Sequence, residues 1–361
     1  MPELIDPRIA RLVGHRFTGD ASLSDSYLME RLRKDLADAV PRSEDLVEEA
    51  SGIARPAPVG WGIVNRSDWV DANIAGMSRL LEPITKKVSA RMETLPTTVR
   101  IAQRTALSTE VGVLLGYISR RVLGQYDVLV SDAAREARPR RRRGGPPEGT
   151  SLYFVGQNIV ETERRLGFAP QDFALWVAVH EVTHRFQFAG VPWLKGRFLE
   201  LVETYLGSLQ LDARGLASRM AAAGRRLMSS SVPSEEKSPV YLLSSEPQRK
   251  LLDELQALMA VVEGHGNYVM DVVGREIIPS FARMRRVFDA RRQQTTALQK
   301  IFNQIIGLEM KLRQYELGQS FCEFVAEREG PRALERLWAE PSMLPSLSEL
   351  KEPQVWLRRV A

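Results

Sequence analysis

The chain has 361 residues, a net charge of +5 and a single cysteine, with 44% hydrophobic and 26% charged residues. That length suits one large domain or two, and the composition is ordinary for a soluble globular protein, which excludes collagen-like, low-complexity and disulfide-stapled classes. Cys322 alone excludes an internal disulfide; no basic region followed by an apolar run opens the chain, and no apolar run reaches the roughly 18 residues of a membrane span, so a cytoplasmic protein without membrane contact is expected.

Residues 1 to about 60 read as a polar, helical amino-terminal arm or lid, punctuated by Pro41, Pro56 and Pro58. From Trp61 to about residue 134 the pattern is again helical, with Trp69, Ile74, Met77, Leu80 and Leu81 at helical spacing. Gly112 and Gly116 stand one turn apart and predict a tight crossing of two helices. A basic Gly/Pro loop over 135–150 carries Arg138, Arg140, Arg141, Arg142 and Arg143. No aromatic residues interleave with it, so it reads as a solvated loop and nucleic acid is not an expected partner. Ser151 to Gly156 is a strand candidate, either buried or an edge able to pair with an extended substrate backbone.

A helix opens at Pro170, with Asp172 in its first turn and an apolar run from Phe173 to Val179. That run leads into His180-Glu181-Val182-Thr183-His184. On a helix His180 and His184 stand one turn apart on one face, so both imidazoles can reach one Zn²⁺. Glu181 lies about 100° round the helix, placed to take a proton from a water in the open metal position. This is the chemistry of a zinc-dependent peptidase.

Further on, Glu200 and Glu203 sit on a helix where acidic residues are usually solvated, and 229–245 reads as a surface loop. Ser245 and Gln248 make a capping-box pattern, with Pro247 in the first turn. The apolar helix that follows runs into Glu263-Gly264-His265-Gly266-Asn267, with Asp271 beyond. A catalytic zinc needs a third protein ligand. Glu263 is the first choice, because a carboxylate on an apolar helix face is costly without a cation. His265 is the runner-up ligand, or a donor to the oxyanion of a tetrahedral intermediate. Gly264 and Gly266 leave room for another backbone or a substrate, and Asn267 and Asp271 are candidates to orient ligands. The long helix around Leu298–Phe324 carries Lys311, Arg313 and Tyr315, with Tyr315 a candidate transition-state donor. The tail from Trp338 is broken by prolines and is expected to wrap the surface.

The segments Leu152–Ile159, Leu175–Phe188, Glu263–His265 and Gly307–Tyr315, with Val64–Asn73 and Trp356–Val360, resemble the zincin-like metallopeptidase family of actinobacteria and some neighbours. One branch of that family is associated with the biosynthesis of a deazaflavin coenzyme. The resemblance runs from about Trp61 to the carboxyl terminus. It implies a zinc-binding, cytoplasmic, mostly helical protein in which His180 and His184 are metal ligands and Glu181 the base. Glu263 as third ligand extends the pattern of the glutamate-type zincins.

The expected fold is mainly α, α+β at most: a zincin-like catalytic region over 151–361, with a small β element before the His-Glu-x-x-His helix and the region 61–134 packed on it. The expected function is zinc-dependent amide hydrolysis of a peptide or protein substrate. The alternative is a zincin scaffold that binds a partner without cleaving it.

Overall fold

The computed structural model describes residues 5–19, 26–80, 96–128, 150–208, 244–293 and 308–361. The arginine run, the 229–243 part of the expected surface loop, and residues 298–307 of the late helix fall outside these. The chain divides into two compact units. Met1–Glu49, Ala54–Gly190 and Val273–Phe281 make one, and Ala50–Ile53, Val191–Val272 and Ala282–Ala361 the other. The described residues are mainly helical, with one three-stranded sheet.

In the first unit, helix α1 (Pro7–Phe17) packs against α3 (Arg66–Leu80) and α4 (Thr97–Ser119). The predicted glycine crossing is here. A Cβ at Gly112 would stand 2.6 Å from the Ala10 carbonyl oxygen, and one at Gly116 would stand 2.6 Å from that of Gly14. Residues 7–17 are therefore part of the packed core and not a loose arm. Trp69, Val70 and Ile74 of α3 meet Ala10 and Leu115 in one apolar cluster.

Helix α2 (Tyr27–Ser51) continues through Pro41, a residue that by itself predicts a break in the helix. An interior proline costs about 3 kcal/mol in a helix. The buried stripe of Leu28, Leu32, Leu36, Val40, Ser43 and Val47 recurs at helical spacing along the whole element and outweighs that cost.

Strands β1 (Gly60–Val64), β2 (Gly124–Tyr126) and β3 (Thr150–Val155) form a sheet of order β1-β3-β2. β3 is parallel to β1 and antiparallel to β2, and every one of its residues is buried. The strand before the histidine helix is therefore the middle of the sheet, its hydrogen bonds taken on both sides, and it cannot serve as a docking edge. Among the described residues the two edge strands are β1 and β2.

Helix α5 (Gly156–Leu166) follows β3 directly. Its Asn158 accepts from Arg66 Nε at 2.7 Å and donates to the carbonyls of Ser119 (2.7 Å) and Val122 (2.5 Å). This buried amide pins the chain just before β2. Helix α6 (Pro170–Arg185) begins at the predicted proline, and Asp172 accepts the Ser280 N–H at 3.0 Å. A π-helical turn, Phe186–Gly190, closes it.

The second unit contains α7 (Leu194–Ser208), most of α8 (Glu246–Ile277), α9 (Phe281–Gln293, less its first residue) and α10 (Leu308–Glu329). The glutamine half of the expected capping box is present: the Ser245 N–H donates to Gln248 Oε1 at 2.8 Å. α8 and α10 cross backbone to backbone at Gly264 and Gly318. A Cβ at Gly318 would lie 1.8 Å from the Ala260 carbonyl oxygen.

The tail does not wrap the surface. Short helices α11 (Arg336–Ala339), α12 (Leu347–Lys351) and α13 (Pro353–Arg359) follow α10. They bury Leu337, Trp338, Leu350 and Trp356, with Trp356 edge-on to Phe321 at 5.2 Å. Two tryptophans carry too much apolar surface to stay in water, and the prolines only open local turns: Pro331 and Pro341 each begin a 3₁₀ turn and Pro353 begins α13.

Candidate metal centre

The run from Phe173 to Val179 is buried apart from Trp176, which is partly exposed. This holds α6 by its apolar face and leaves the last turn to carry the polar side chains. His180 and His184 are both half-buried, with rings edge-on at 4.6 Å and Nε2 atoms 3.2 Å apart. Tetrahedral ligands at the usual zinc–nitrogen length stand roughly 3.3 Å apart, so the pair has the spacing of two ligands to one ion.

His184 Nδ1 lies 2.9 Å from Gln187 Oε1, and Gln187 is wholly buried in the π-helical turn. The amide oxygen only accepts, so the imidazole proton sits on Nδ1 and Nε2 presents its lone pair. Sequence reasoning missed Gln187. Its only signal was a polar residue three places after His184 within Phe186-Gln187-Phe188.

Glu181 is 5% exposed and lies against β2. A Cβ built on Gly124 would stand 2.5 Å from its Cγ, 2.7 Å from Cδ and 2.8 Å from Oε1. Two residues on, Tyr126 stacks on Phe188 at 6.5 Å. The next residue of α6, Arg185, is also missed by the motif. Its buried guanidinium pairs with Glu44 and donates to the carbonyls of Pro56 (3.1 Å) and Ala57 (3.3 Å). It ties the carboxyl end of the histidine helix to α2 and to the chain entering β1.

Glu263 is half-buried on α8, after the buried run Ala260-Val261-Val262. His265 on the same helix is fully buried, edge-on to Trp338 at 5.0 Å and near Tyr268. Asp271 lies further along the same helix. It accepts from Arg285 at 2.5 Å and from Gln319 at 3.0 Å, joining α8 to α9 and α10. Glu200 pairs with Arg197, and Glu203 is exposed. Tyr315 lies in α10, but its side chain, with those of Lys311 and Arg313, is outside the described residues.

The zincin-like metallopeptidase family matches residues 5–357, nearly the whole chain. The chain belongs to this family. A crystal structure from Chloroflexus aurantiacus, described as a proposed hydrolase with a novel fold, is similar to it at 30% identity. That likeness covers 98% of both chains with a TM-score of 0.68. No curated protein matches. The family match includes α1 and α2, which the sequence resemblance left out. Among the described residues of this zincin-like protein, no helix is long and apolar enough to cross a membrane.

Proposed function

We propose that this zincin-like protein is a zinc-dependent hydrolase that cleaves amide bonds in a peptide or protein, with His180, His184 and Glu263 as metal ligands and Glu181 as general base. One observation carries the reading: the His180 and His184 Nε2 atoms stand 3.2 Å apart on one face of α6, the spacing of two ligands to one ion, and Glu263 is the carboxylate proposed to complete the set. Two imidazole nitrogens and one carboxylate oxygen are a donor set that zinc accepts in catalytic sites, leaving a further position open. Zinc bound there would polarise a carbonyl and acidify a water.

The rest falls to the protein's own side chains. Gln187 holds His184 in the tautomer that presents Nε2. Glu181, sheltered under β2, takes a proton from the attacking water and returns it to the leaving amine. Among the described residues β2 is an edge strand of the sheet, and it packs against α6. It is the strand on which an extended substrate backbone would lie.

The test is metal analysis beside hydrolysis of a peptide library. Purified protein is expected to hold about one zinc per chain, and His180→Ala, His184→Ala and Glu263→Ala to lose it. Glu181→Gln should keep the zinc and lose turnover, since an amide cannot take the proton. Full zinc in any of the three ligand variants, or loss of zinc in Glu181→Gln, would overturn the assignments. Zinc without turnover on any peptide would favour the scaffold that binds and does not cleave.

A further inference from the structure

We infer that Gly124 is a positioning residue for the general base, its missing side chain being the slot in which Glu181 lies. The inference rests on the catalytic reading of Glu181 but is carried by a separate observation. Gly124 belongs to regular β-strand, pairs with Phe154 of β3, and has no positive φ, so backbone conformation does not require glycine there. Glycine within a strand weakens it and marks a close approach by something else. What approaches here is not backbone. All three nearest atoms to a Cβ at this position belong to Glu181, namely Cγ at 2.5 Å, Cδ at 2.7 Å and Oε1 at 2.8 Å.

The other features of β2 hold this strand against the carboxylate. Gln125, facing away by the alternation of the strand, exchanges hydrogen bonds with Asn73 of α3 at 3.2 and 3.3 Å. Tyr126, on the Gly124 face, stacks on Phe188 just beyond α6. Asn158 fixes the chain at Ser119 and Val122 immediately before the strand. Strand and helix are thus each fastened, and a methyl at position 124 could be accommodated only by moving the end of Glu181. That end is the carboxylate, so a substitution one atom in size would leave the metal ligands in place and displace the base.

The experiment compares wild type, Gly124→Ala, Glu181→Ala, Glu181→Gln and the double variant Gly124→Ala/Glu181→Ala. Gly124→Ala is expected to keep full zinc, to lower kcat at least about tenfold, as a partial loss of the roughly 10²–10⁴-fold attributed to a positioned base, and to change KM little. In the Glu181→Ala background Cγ, Cδ and Oε1 are all gone from the slot, so adding Gly124→Ala should cost little more in residual turnover or in stability. A crystal structure of Gly124→Ala should show the Glu181 carboxylate moved from its place under β2. Unchanged kcat, an equal loss in both backgrounds, or an undisplaced Glu181 beside an intact strand would overturn the inference. If Gly124→Ala alone does not fold, adding Glu181→Ala should restore folding because the clashing atoms are gone, and failure to restore it counts against the slot. Wild-type turnover in Glu181→Gln would instead sink the catalytic reading, while the crystallographic comparison would still decide whether Gly124 places Glu181.

Discussion

The residue with the clearest unforeseen duty is Gln187. Its buried oxygen accepts from His184 Nδ1, and partners of this kind commonly change metal affinity 10- to 100-fold when lost. Gln187→Leu should therefore weaken zinc binding by about that factor, read by competition with a chelating dye, with the melting temperature in saturating zinc changed little. Gln187→Glu keeps an acceptor and should bind at least as tightly. Equal affinity in wild type and Gln187→Leu would show that the amide has no hold on the ligand. Arg185 acts at the same scale. Its guanidinium is buried against Glu44, so removing Glu44 leaves a charge without its partner, and Glu44→Ala should destabilise the protein by roughly 3 kcal/mol. Denaturant unfolding measures this, and a loss near zero would mean that the two carbonyls suffice.

At the scale of elements, two crossings rest on glycines. Gly318→Ala puts a methyl onto the Ala260 carbonyl, which is backbone and cannot swing aside. A loss of about 3 kcal/mol is expected in chemical denaturation, and a neutral result would mean that α8 and α10 are not in contact there. The last helices depend on charge instead. Ser346 and Glu349 cap α12 reciprocally, and Arg359 of α13 donates to Glu349 at 2.6 Å. Burial pushes the Glu349 carboxyl up, but Arg359 and the Ser346 N–H outweigh it and hold it below its ordinary value of 4.5. A depressed carboxylate stabilises the fold above the unfolded pKa, and that contribution is lost as pH falls through the lower folded value. Glu349→Gln should accordingly lower the melting temperature at pH 7, and the difference from wild type should shrink as the pH drops below about 4. A gap that stays constant down to pH 3 would remove the charge from the explanation.

For the whole molecule, zinc that binds the folded chain and not the unfolded one adds to its stability. At a free concentration of 100 times Kd the gain is about 2.7 kcal/mol. Chelated protein should melt lower than zinc-loaded protein, and His184→Ala should show no difference between the two. A chelation shift that survives in His184→Ala would place the stabilising ion elsewhere.

The sequence by itself determined the parts whose physics is local. Five residues of His180–His184 with an apolar run in front specify a helix, one face of it, and a pair of imidazoles one turn apart. Pro170, Ser245 with Gln248, and the Gly112/Gly116 pair were likewise legible, because caps and close crossings depend on residues a few positions apart. The placement of β3 at the sheet centre, the passage of α2 through Pro41 and the burial of the tail were decided only in the tertiary structure. So were Gly124 beneath Glu181, Arg185 on Glu44, and His265 against Trp338. Each depends on which surface a segment meets, and burial of that surface outweighs the local preference of a proline, a glycine or a charge. A helical period tells which residues share a face; it does not tell what the face will touch.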